Sequence, residues 1–450
     1  MIASAADADS YLITHQAQRV KEKKDHGEVF TPVSVIDTML AMLPAAVWKD
    51  KGLRWCDPAC GIGQFALKAI FGGVGYVGLL NGLRSQFSSD SACLKHILET
   101  MFTCYDINAE NASATRKLLK SLCSCAAQVE TRDYLAGDLG KFDIILGNPP
   151  YNAGGTKREG EKRLHIRFVE KALNSLQNHG YLLFVCPPNY REAGSIMNRL
   201  FLERAGYFHA IRMYGPDETH RLFRVQSRVD AFLWQSGVVA GKTAIVDIYG
   251  ATAHVELDLT RHIPNFGFSL FEKLRRGPAA QVRAFRTAEA TTISCAKSGF
   301  ASGGKHKTLH LLVEGGRKIL MRSRPHSLEG VPKLILNGLG IPYVYYDSEG
   351  EYGVTQVPVV VKNPPAELVR FMKSPLFYCI AWALRITGNN NLPYLFRDIP
   401  ADYGAGLRLT EAESALLEKF VVPYSSDAEI VVECSGGRSG RRATRRRQRD

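Results

Sequence analysis

The sequence lacks any apolar run that is both long and free of charge. The longest run, around residues 66–83, contains Lys68 and several glycines, so no segment has the pattern of a membrane span. None of the ten cysteines shows the spacing of a zinc site, and the N-terminus has no signal-peptide pattern. We therefore expect a protein without a metal ion, in a reducing compartment such as the cytoplasm and away from membranes.

The chain is also short of acidic residues. Its 44 aspartates and glutamates face 57 lysines and arginines, which gives a net charge of +13 and a pI near 9.2, as in proteins that bind polyanions. Seven arginines and one aspartate in residues 438–450 supply +6 of this charge, so the rest of the chain is still basic. The Arg-rich tail, residues 435–450, is predicted to be disordered. It could serve as a nucleic-acid arm, as a nuclear-import signal or only as a solvated tail.

A strand that ends in two prolines is the most informative feature of the chain. The apolar run at 142–147 predicts a buried strand, and Asn148, Pro149, Pro150 and Tyr151 follow it. The prolines restrict the backbone and hold the Asn148 amide and the Pro149 carbonyl as two acceptors. Such a pair can take both hydrogens of a planar amino group, while Tyr151 stacks on the ring that carries it. The motif therefore favours methylation of an exocyclic or amide nitrogen; the alternative is a proline-rich turn after a core strand.

A second motif lies at residues 55–65 and predicts a short strand, a tight glycine turn and a helix that begins near Gln64. Gly61 and Gly63 allow the backbone to approach a ligand closely, as in nucleotide-binding turns. The third glycine of the dinucleotide fingerprint is missing. Asp57, at the end of the strand, suits a ligand with an ammonium group better than a pyrophosphate.

With both motifs, the chain resembles the gamma class of S-adenosylmethionine-dependent DNA adenine-N6 methyltransferases, the N-6 DNA methylase family of restriction-modification systems. The family's blocks follow in the same order, at residues 27–32, 57–63, 105–108, 133–135, 148–151, 165–173 and 180–188. The resemblance covers residues 27–235. It implies an α/β fold: a Rossmann-like, doubly wound methyltransferase domain, followed by a C-terminal target-recognition domain that is inferred only from position, charge and size.

The resemblance also implies a set of contacts to S-adenosylmethionine. Asp106 would accept from the ribose hydroxyls, and Ile107 would offer an apolar face to the adenine. Asp133 would accept from the adenine amino group, with Asp138 and Asp143 as rivals, and Glu28 is as plausible a structural residue as a ligand. Thr31 would contact the methionine end. The predicted cofactor-binding set is Thr31, Asp57, Ala59, Gly61, Gly63, Asp106, Ile107, Asp133 and, through its backbone, Tyr134.

Catalysis on a base in duplex DNA implies base flipping, because the target cannot reach such a pocket inside the helix. A flipped purine needs a wall on each face. Tyr151 would supply one wall and Phe223 the other, unless Phe223 is a core aromatic; neighbouring arginines favour phosphate contact there. The predicted catalytic set is Asn148, Pro149, Pro150, Tyr151 and Phe223.

Four regions are predicted along the chain: a helical lead-in at 1–26, the methyltransferase domain at 27–237, the target-recognition domain at 251–425 and the tail at 435–450. Residues 209–214 and 231–234 are expected to be the last two strands of the sheet, the final one antiparallel. A DNA enzyme of this kind would act as a monomer on double-stranded DNA, with a separate cognate restriction endonuclease as a candidate partner.

Other functions also fit the Asn-Pro-Pro-Tyr motif. RNA and release-factor glutamine N-methyltransferases use a similar strand end, but the motif at 27–32 and the long segment after the sheet favour DNA. A DNA-binding subunit without activity is disfavoured by the intact Asn148, Tyr151, Gly61 and Gly63. A fused nuclease is disfavoured because few residues precede the first motif and no nuclease cluster follows it.

Overall fold

The chain forms two compact units, Met1–Phe266 and Gly267–Asp450. The computed structural model describes residues 2, 4–22, 31–151, 163–225, 227–238, 241–279, 281, 284–285, 304–314, 316–337, 341–355, 358–386, 395–420 and 429–431. Residues 27–30 of the first predicted motif and the tail at 435–450 lie outside these ranges.

A nine-stranded sheet forms the centre of the first unit. Its strands are β1 (Trp55–Asp57), β2 (Phe102–Asp106), β3 (Gln128–Thr131), β4 (Phe142–Gly147), β5 (Leu176–Cys186), β6 (Gly206–Tyr214), β7 (Val229–Ser236), β8 (Thr243–Val246) and β9 (Thr252–Val255). Their spatial order is β3-β2-β1-β4-β5-β7-β6-β8-β9. The first five are parallel, and β7 runs antiparallel to both β5 and β6. The predicted doubly wound sheet is therefore confirmed.

Nine α-helices are described in this unit. They are α1 (Ala5–Glu22), α2 (Val33–Leu40), α3 (Gln64–Phe71), α4 (Leu79–Leu83), α5 (Asp90–His96), α6 (Ala109–Leu122), α7 (Leu164–Ser175), α8 (Ile196–Leu202) and α9 (Pro216–Phe223). The lead-in helix α1 is attached to the core, because Lys68 of α3 is fully buried and pairs with Asp9 at 2.5 Å and Asp37 at 2.9 Å. In the part of the chain that the structure describes, no helix combines the length and apolarity that crossing a membrane requires.

The apolar run that predicted β4 lies in the middle of the sheet. Phe142, Ile144, Ile145 and Leu146 have no exposed surface, as expected for a parallel strand that is covered on both faces. The strand order reverses between β1 and β4, and in open α/β sheets ligands bind in the crevice outside the strand ends at such a point. Because β1, β2 and β4 are parallel, their carboxyl ends meet at one edge of the sheet.

Strands β8 and β9 were not predicted, and they extend the sheet beyond residue 237, where the methyltransferase domain was expected to end. Strand β8 runs parallel to β6, and β9 is antiparallel to β8. Asn265, just after these strands, accepts a hydrogen bond from the buried Arg191 at 2.9 Å. The segment up to Phe266 is therefore part of the first unit.

The second unit contains short helices and two four-stranded sheets. Its helices are α10 (Phe268–Leu274), α11 (Ala366–Met372), α12 (Pro375–Ala383) and α13 (Glu411–Glu418). Its strands are β10 (Ala284–Phe285), β11 (His306–Val313), β12 (Gly316–Arg322), β13 (Lys333–Leu336), β14 (Val344–Asp347), β15 (Gly353–Val354), β16 (Val359–Lys362) and β17 (Glu429–Val431). The sheet orders are β10-β16-β13-β14 and β15-β11-β12-β17.

Some basic residues of this unit are structural. Lys333 is fully buried and pairs with Asp347 at 2.6 Å across the antiparallel β13–β14 pair. Arg317 is only 7% exposed, and its guanidinium lies 4.5 Å from the centre of the Tyr345 ring. Arg317 is therefore not a surface cation. The role of this unit in target recognition stays a prediction.

Candidate active site

Asp57 lies at the carboxyl end of β1 and is almost completely buried. Its Oδ1 accepts a hydrogen bond from the Ala59 backbone N–H at 3.2 Å, whereas its buried Oδ2 has no hydrogen-bond partner among the described residues. Burial raises the pKa of Asp57 to about 8, and the nearby charge of Asp106 adds to this effect. A buried carboxylate with an unused oxygen favours a cationic ligand at this position.

Asp106, at the end of β2, holds the glycine loop against the sheet. One of its carboxylate oxygens accepts from the Gly61 N–H at 2.8 Å, and the other accepts from the Asn108 N–H at 2.8 Å. Thr115 of α6 donates to the Gly61 carbonyl at 2.8 Å. The loop is thus fixed from both sides by the second strand and the helix that follows it.

The two glycines of this loop are required for different reasons. Gly63 has φ of 80°, and a Cβ there would lie 3.0 Å from Cγ2 of Thr115. Gly61 has φ of 54°, but no described atom lies within 4 Å of its Cβ position. Gly63 therefore permits close packing of α6, whereas Gly61 faces open space, where a ligand could approach the backbone.

The predicted adenine-contacting residues lie beside the loop with different exposures. Ile107, directly after β2, is 74% exposed, which is unusual for an isoleucine and suits a surface that a ligand covers. Asp133 is exposed and accepts from the Leu135 N–H at 2.9 Å. The Tyr134 ring is buried and stacks on Phe168 at a centroid distance of 5.6 Å. The side chain of Tyr134 is thus a core group, and only its backbone could contact a ligand.

Asp138 and Asp143, the two alternatives to Asp133, each accept a backbone hydrogen bond. Asp138 accepts from the Gly140 N–H at 3.0 Å. Asp143 is the second residue of β4 and accepts from the Arg54 N–H at 2.8 Å. Asp143 thus lies near the amino end of its strand, away from the edge where Asp57 and Asp106 meet.

Gly147, the residue directly before the Asn-Pro-Pro-Tyr motif, lies close to Asp57. Gly147 has φ of 151°, and a Cβ there would lie 3.0 Å from Oδ1 of Asp57. The next residue, Asn148, donates from Nδ2 to the hydroxyl of the buried Thr31 at 3.0 Å. Three segments that are distant in sequence, around Thr31, Asp57 and Asn148, therefore meet at one edge of the sheet. Pro149 is buried and Pro150 is exposed.

Tyr151 is partly buried against the core, and burial raises the pKa of its phenol well above the usual range. Its backbone carbonyl accepts from the Leu164 N–H at 3.1 Å and from Nδ1 of His165 at 3.1 Å. These contacts attach the end of the motif to the start of α7.

Phe223, the residue predicted as the second wall, lies in the core. It is 4% exposed and meets the Tyr214 ring edge-on, at a centroid distance of 6.0 Å. This is the packing of a core aromatic, the alternative that the sequence left open, and a stacking role for Phe223 stays a prediction. The neighbouring Arg221 and Arg224 are exposed, as phosphate-contacting residues would be.

Sequence reasoning did not single out the side chains of His165 and Asn189. Nε2 of His165 lies 2.9 Å from the side-chain oxygen of Asn189, and its ring meets Tyr151 edge-on at 6.2 Å. A signal for this contact exists in the sequence, because Pro187 and Pro188 end β5 as Pro149 and Pro150 end the adjacent β4. Two neighbouring strands that stop at paired prolines indicate that the residues after them share one surface.

Two family models match the first half of the chain. Residues 65–214 match the Eco57I restriction-modification methylase, and residues 4–74 match the N-6 DNA methylase. The predicted resemblance to N-6 DNA methylases of restriction-modification systems is therefore confirmed. The two matches together run from α1 to the end of β6.

Individual relatives are distant. The type II methyltransferase M.VspI of Vibrio sp. (strain 343) is 25% identical over 179 residues, 36% of this chain and 37% of the relative, so the match spans little more than a third of that protein. A solved structure described as a modification subunit of a type I restriction enzyme from Vibrio vulnificus YJ016 is 17% identical, with a TM-score of 0.41, over 55% of this chain and 53% of the other. One described as a class I S-adenosylmethionine-dependent methyltransferase from Listeria monocytogenes is 17% identical, with a TM-score of 0.39, over 54% and 73%.

Proposed function

Because residues 4–74 and 65–214 match the N-6 DNA methylase and restriction-modification methylase families, we propose that the protein is a site-specific DNA methyltransferase. It transfers a methyl group from S-adenosylmethionine to N6 of adenine in duplex DNA after base flipping. The observation that carries this proposal is the meeting of Asn148, Thr31 and Asp57 at the carboxyl edge of the sheet.

The residues at this edge suit S-adenosylmethionine. The unused oxygen of Asp57 is buried and fits an ammonium group, and the open space beside Gly61 admits a ligand close to the backbone. Asp106 would accept from the ribose hydroxyls, since a carboxylate has two oxygens that can each accept more than one hydrogen bond. Ile107 would cover one face of the adenine. When bound, S-adenosylmethionine supplies an electrophilic methyl group on a sulfonium sulfur.

Asn148 and Pro149 act on the amine of the target base. With Nδ2 of Asn148 bonded to Thr31, the amide oxygen is the atom of this side chain that can accept from a substrate. The amide oxygen and the Pro149 carbonyl each accept a hydrogen bond from one of the two amine hydrogens. This arrangement directs the nitrogen lone pair toward the methyl group. Transfer would form the nitrogen–carbon bond as the sulfur–carbon bond breaks, leaving a neutral thioether and a cationic amine that then gives its extra proton to solvent water. Catalysis then rests on positioning and electrostatics.

Tyr151 would hold one face of the flipped base. Its backbone is fixed by the bonds from Leu164 and His165, so its position does not depend on the strand end alone. The positive charge of the chain, including the exposed Arg221 and Arg224, favours binding of the DNA backbone. Action as a monomer, partnership with a separate restriction endonuclease and a cytoplasmic location are part of the same proposal.

The test is a transfer assay with isotope-labelled S-adenosylmethionine and duplex DNA, followed by mass spectrometry of the nucleosides. We expect labelled N6-methyladenine, and very little from an Asn148→Ala variant, whereas Asn178→Ala, which changes an exposed asparagine on β5, should behave as the wild type. Methylcytosine would contradict the adenine assignment. Labelled glutamine in a release-factor peptide, without labelled DNA, would support the alternative activity.

A further inference from the structure

His165 is a buried titratable residue that contacts the Asn-Pro-Pro-Tyr motif and that the proposed chemistry does not use. It is 4% exposed, and both of its ring nitrogens have partners. A side chain that only fills core volume would be apolar here, because burying an imidazole is costly unless it is hydrogen-bonded. A hydrogen-bonded histidine at this position therefore indicates that its two hydrogen bonds have a role beyond filling the core.

The hydrogen bond to Tyr151 defines the state of the ring. The Tyr151 carbonyl can only accept, so Nδ1 of His165 carries a hydrogen. Burial lowers the pKa of His165, and the positive charge of Arg163 lowers it further. The hydrogen bonds to Tyr151 and Asn189 raise this pKa, but they do not offset the effect of burial. The ring is thus neutral near pH 7. In the neutral ring Nε2 is an acceptor, so the hydrogen bond to Asn189, whose side-chain oxygen lies 2.9 Å away, forms when the Asn189 amide turns to present its NH2 group.

Asn189 lies in a short turn that is held in place by several contacts. Its backbone carbonyl accepts from the Ser195 hydroxyl at 2.6 Å. Arg191, in the same short turn, is fully buried and pairs with Asp230 of β7 at 2.7 Å. His165 therefore connects Tyr151 to a segment that is anchored on a central strand of the sheet.

We propose that His165 is a positioning residue, which holds Tyr151 in place by connecting its carbonyl to Asn189, so that the phenol ring is set against the target base. This inference rests on the proposed function, since it assigns a role within the same site. His165 touches neither the base nor the cofactor and acts only through Tyr151.

Two substitutions separate the two bonds. In His165→Asn, the amide nitrogen takes the position of Nδ1 and keeps the hydrogen bond to the Tyr151 carbonyl, but the contact with Asn189 is lost. In His165→Gln, the longer side chain reaches Asn189, but the hydrogen bond to Tyr151 is lost. Each variant loses one hydrogen bond and the imidazole ring, so similar decreases in melting temperature are expected. Glu170→Gln, an exposed change on the same helix, is the surface control.

The measurement is kcat and KM for duplex DNA, with the Kd of S-adenosylmethionine determined separately by calorimetry. We expect kcat/KM for DNA to fall about 10-fold further in His165→Gln than in His165→Asn, because small misplacements of a positioning group are costly. The Kd of the cofactor should stay unchanged in both. A 2-aminopurine at the target position should be less quenched in His165→Gln, since the base is less firmly stacked.

Equal losses of activity in the two variants, with equal losses of melting temperature, would show that His165 is only structural. A changed cofactor Kd would also overturn the proposal. Both results can be obtained only if the wild type is active. If the wild type itself forms no methyladenine, the proposed function fails, and the role of His165 fails with it.

Discussion

Asn148 donates a hydrogen bond from its side-chain amide to the hydroxyl of Thr31, 3.0 Å away, across 117 positions of sequence. In this bond the Thr31 hydroxyl accepts, and the NH2 end of the amide faces Thr31. An asparagine that serves as an acceptor must turn its amide oxygen toward the substrate, and this is the orientation in which Nδ2 donates to Thr31. Thr31 thus has a second candidate role besides the predicted contact to the methionine end of the cofactor.

Thr31→Val should separate these roles, because valine keeps the shape of threonine and removes the hydroxyl. Losing the bond to Asn148 should lower kcat about 3- to 10-fold, in line with about 1 kcal/mol for a neutral hydrogen bond. Thr31→Ser retains the hydroxyl and should keep most of the activity. Transfer kinetics and cofactor calorimetry are the measurements. An unchanged kcat with a weaker cofactor Kd would favour the cofactor contact instead.

Asn148→Ala should remove most of the turnover and leave cofactor binding nearly intact. Removing one acceptor that acts at the transition state costs about 3–4 kcal/mol, or roughly 100- to 1000-fold in kcat. Cofactor affinity should persist because Asp57 and Asp106 lie on other strands. Single-turnover kinetics and calorimetry test this, with Asn178→Ala as the matched control. Abolished cofactor binding in a folded Asn148→Ala protein would remove Asn148 from the catalytic role.

The arrangement of the sheet could be predicted because the strands have local signatures. The continuous apolar run of β4 and the paired prolines after it depend only on neighbouring residues, and so does the glycine turn after β1. Strands β8 and β9 lack such a signature. They are short and only partly buried, so nothing in their composition separates them from the second unit.

The contacts of the site could not be predicted in the same way. The bonds Thr31–Asn148 and His165–Asn189 depend on how distant strand ends converge, and no local pattern encodes their distances. Phe223 illustrates the same limit. Its arginine-rich neighbourhood indicated exposure, yet it is the last residue of α9 and its ring turns inward, while Arg221 and Arg224 remain outside.

Tyr151→Ala and Phe223→Ala should therefore differ from each other. Truncating a base-stacking tyrosine weakens capture of the flipped base by about 1–3 kcal/mol. Truncating a core phenylalanine lowers the free energy of unfolding by about 3–5 kcal/mol. A 2-aminopurine at the target site should become brighter in Tyr151→Ala, and Phe223→Ala should mainly lower the melting temperature. A stable Phe223→Ala protein with bright 2-aminopurine would restore Phe223 as the second wall.

Cofactor binding should release a proton from Asp57. The pKa of this carboxyl is raised to about 8 by burial, so at pH 7 the free protein holds it mostly protonated. A bound ammonium group favours the carboxylate and lowers this pKa, so the proton leaves on binding. Affinity should therefore rise with pH from 6 toward the pKa of the free protein. At pH 7 the amine of the cofactor is still largely charged, since α-amino groups titrate at about 8.

Calorimetry at pH 7 in two buffers of different ionisation enthalpy measures this release directly. We expect close to one proton per cofactor for the wild type and for Asp50→Asn, an exposed aspartate that serves as the control. Asp57→Asn should bind more weakly and release none, because its amide has no proton to lose at this pH. If the variant and the wild type release equal numbers of protons, Asp57 is not the residue that meets the ammonium group.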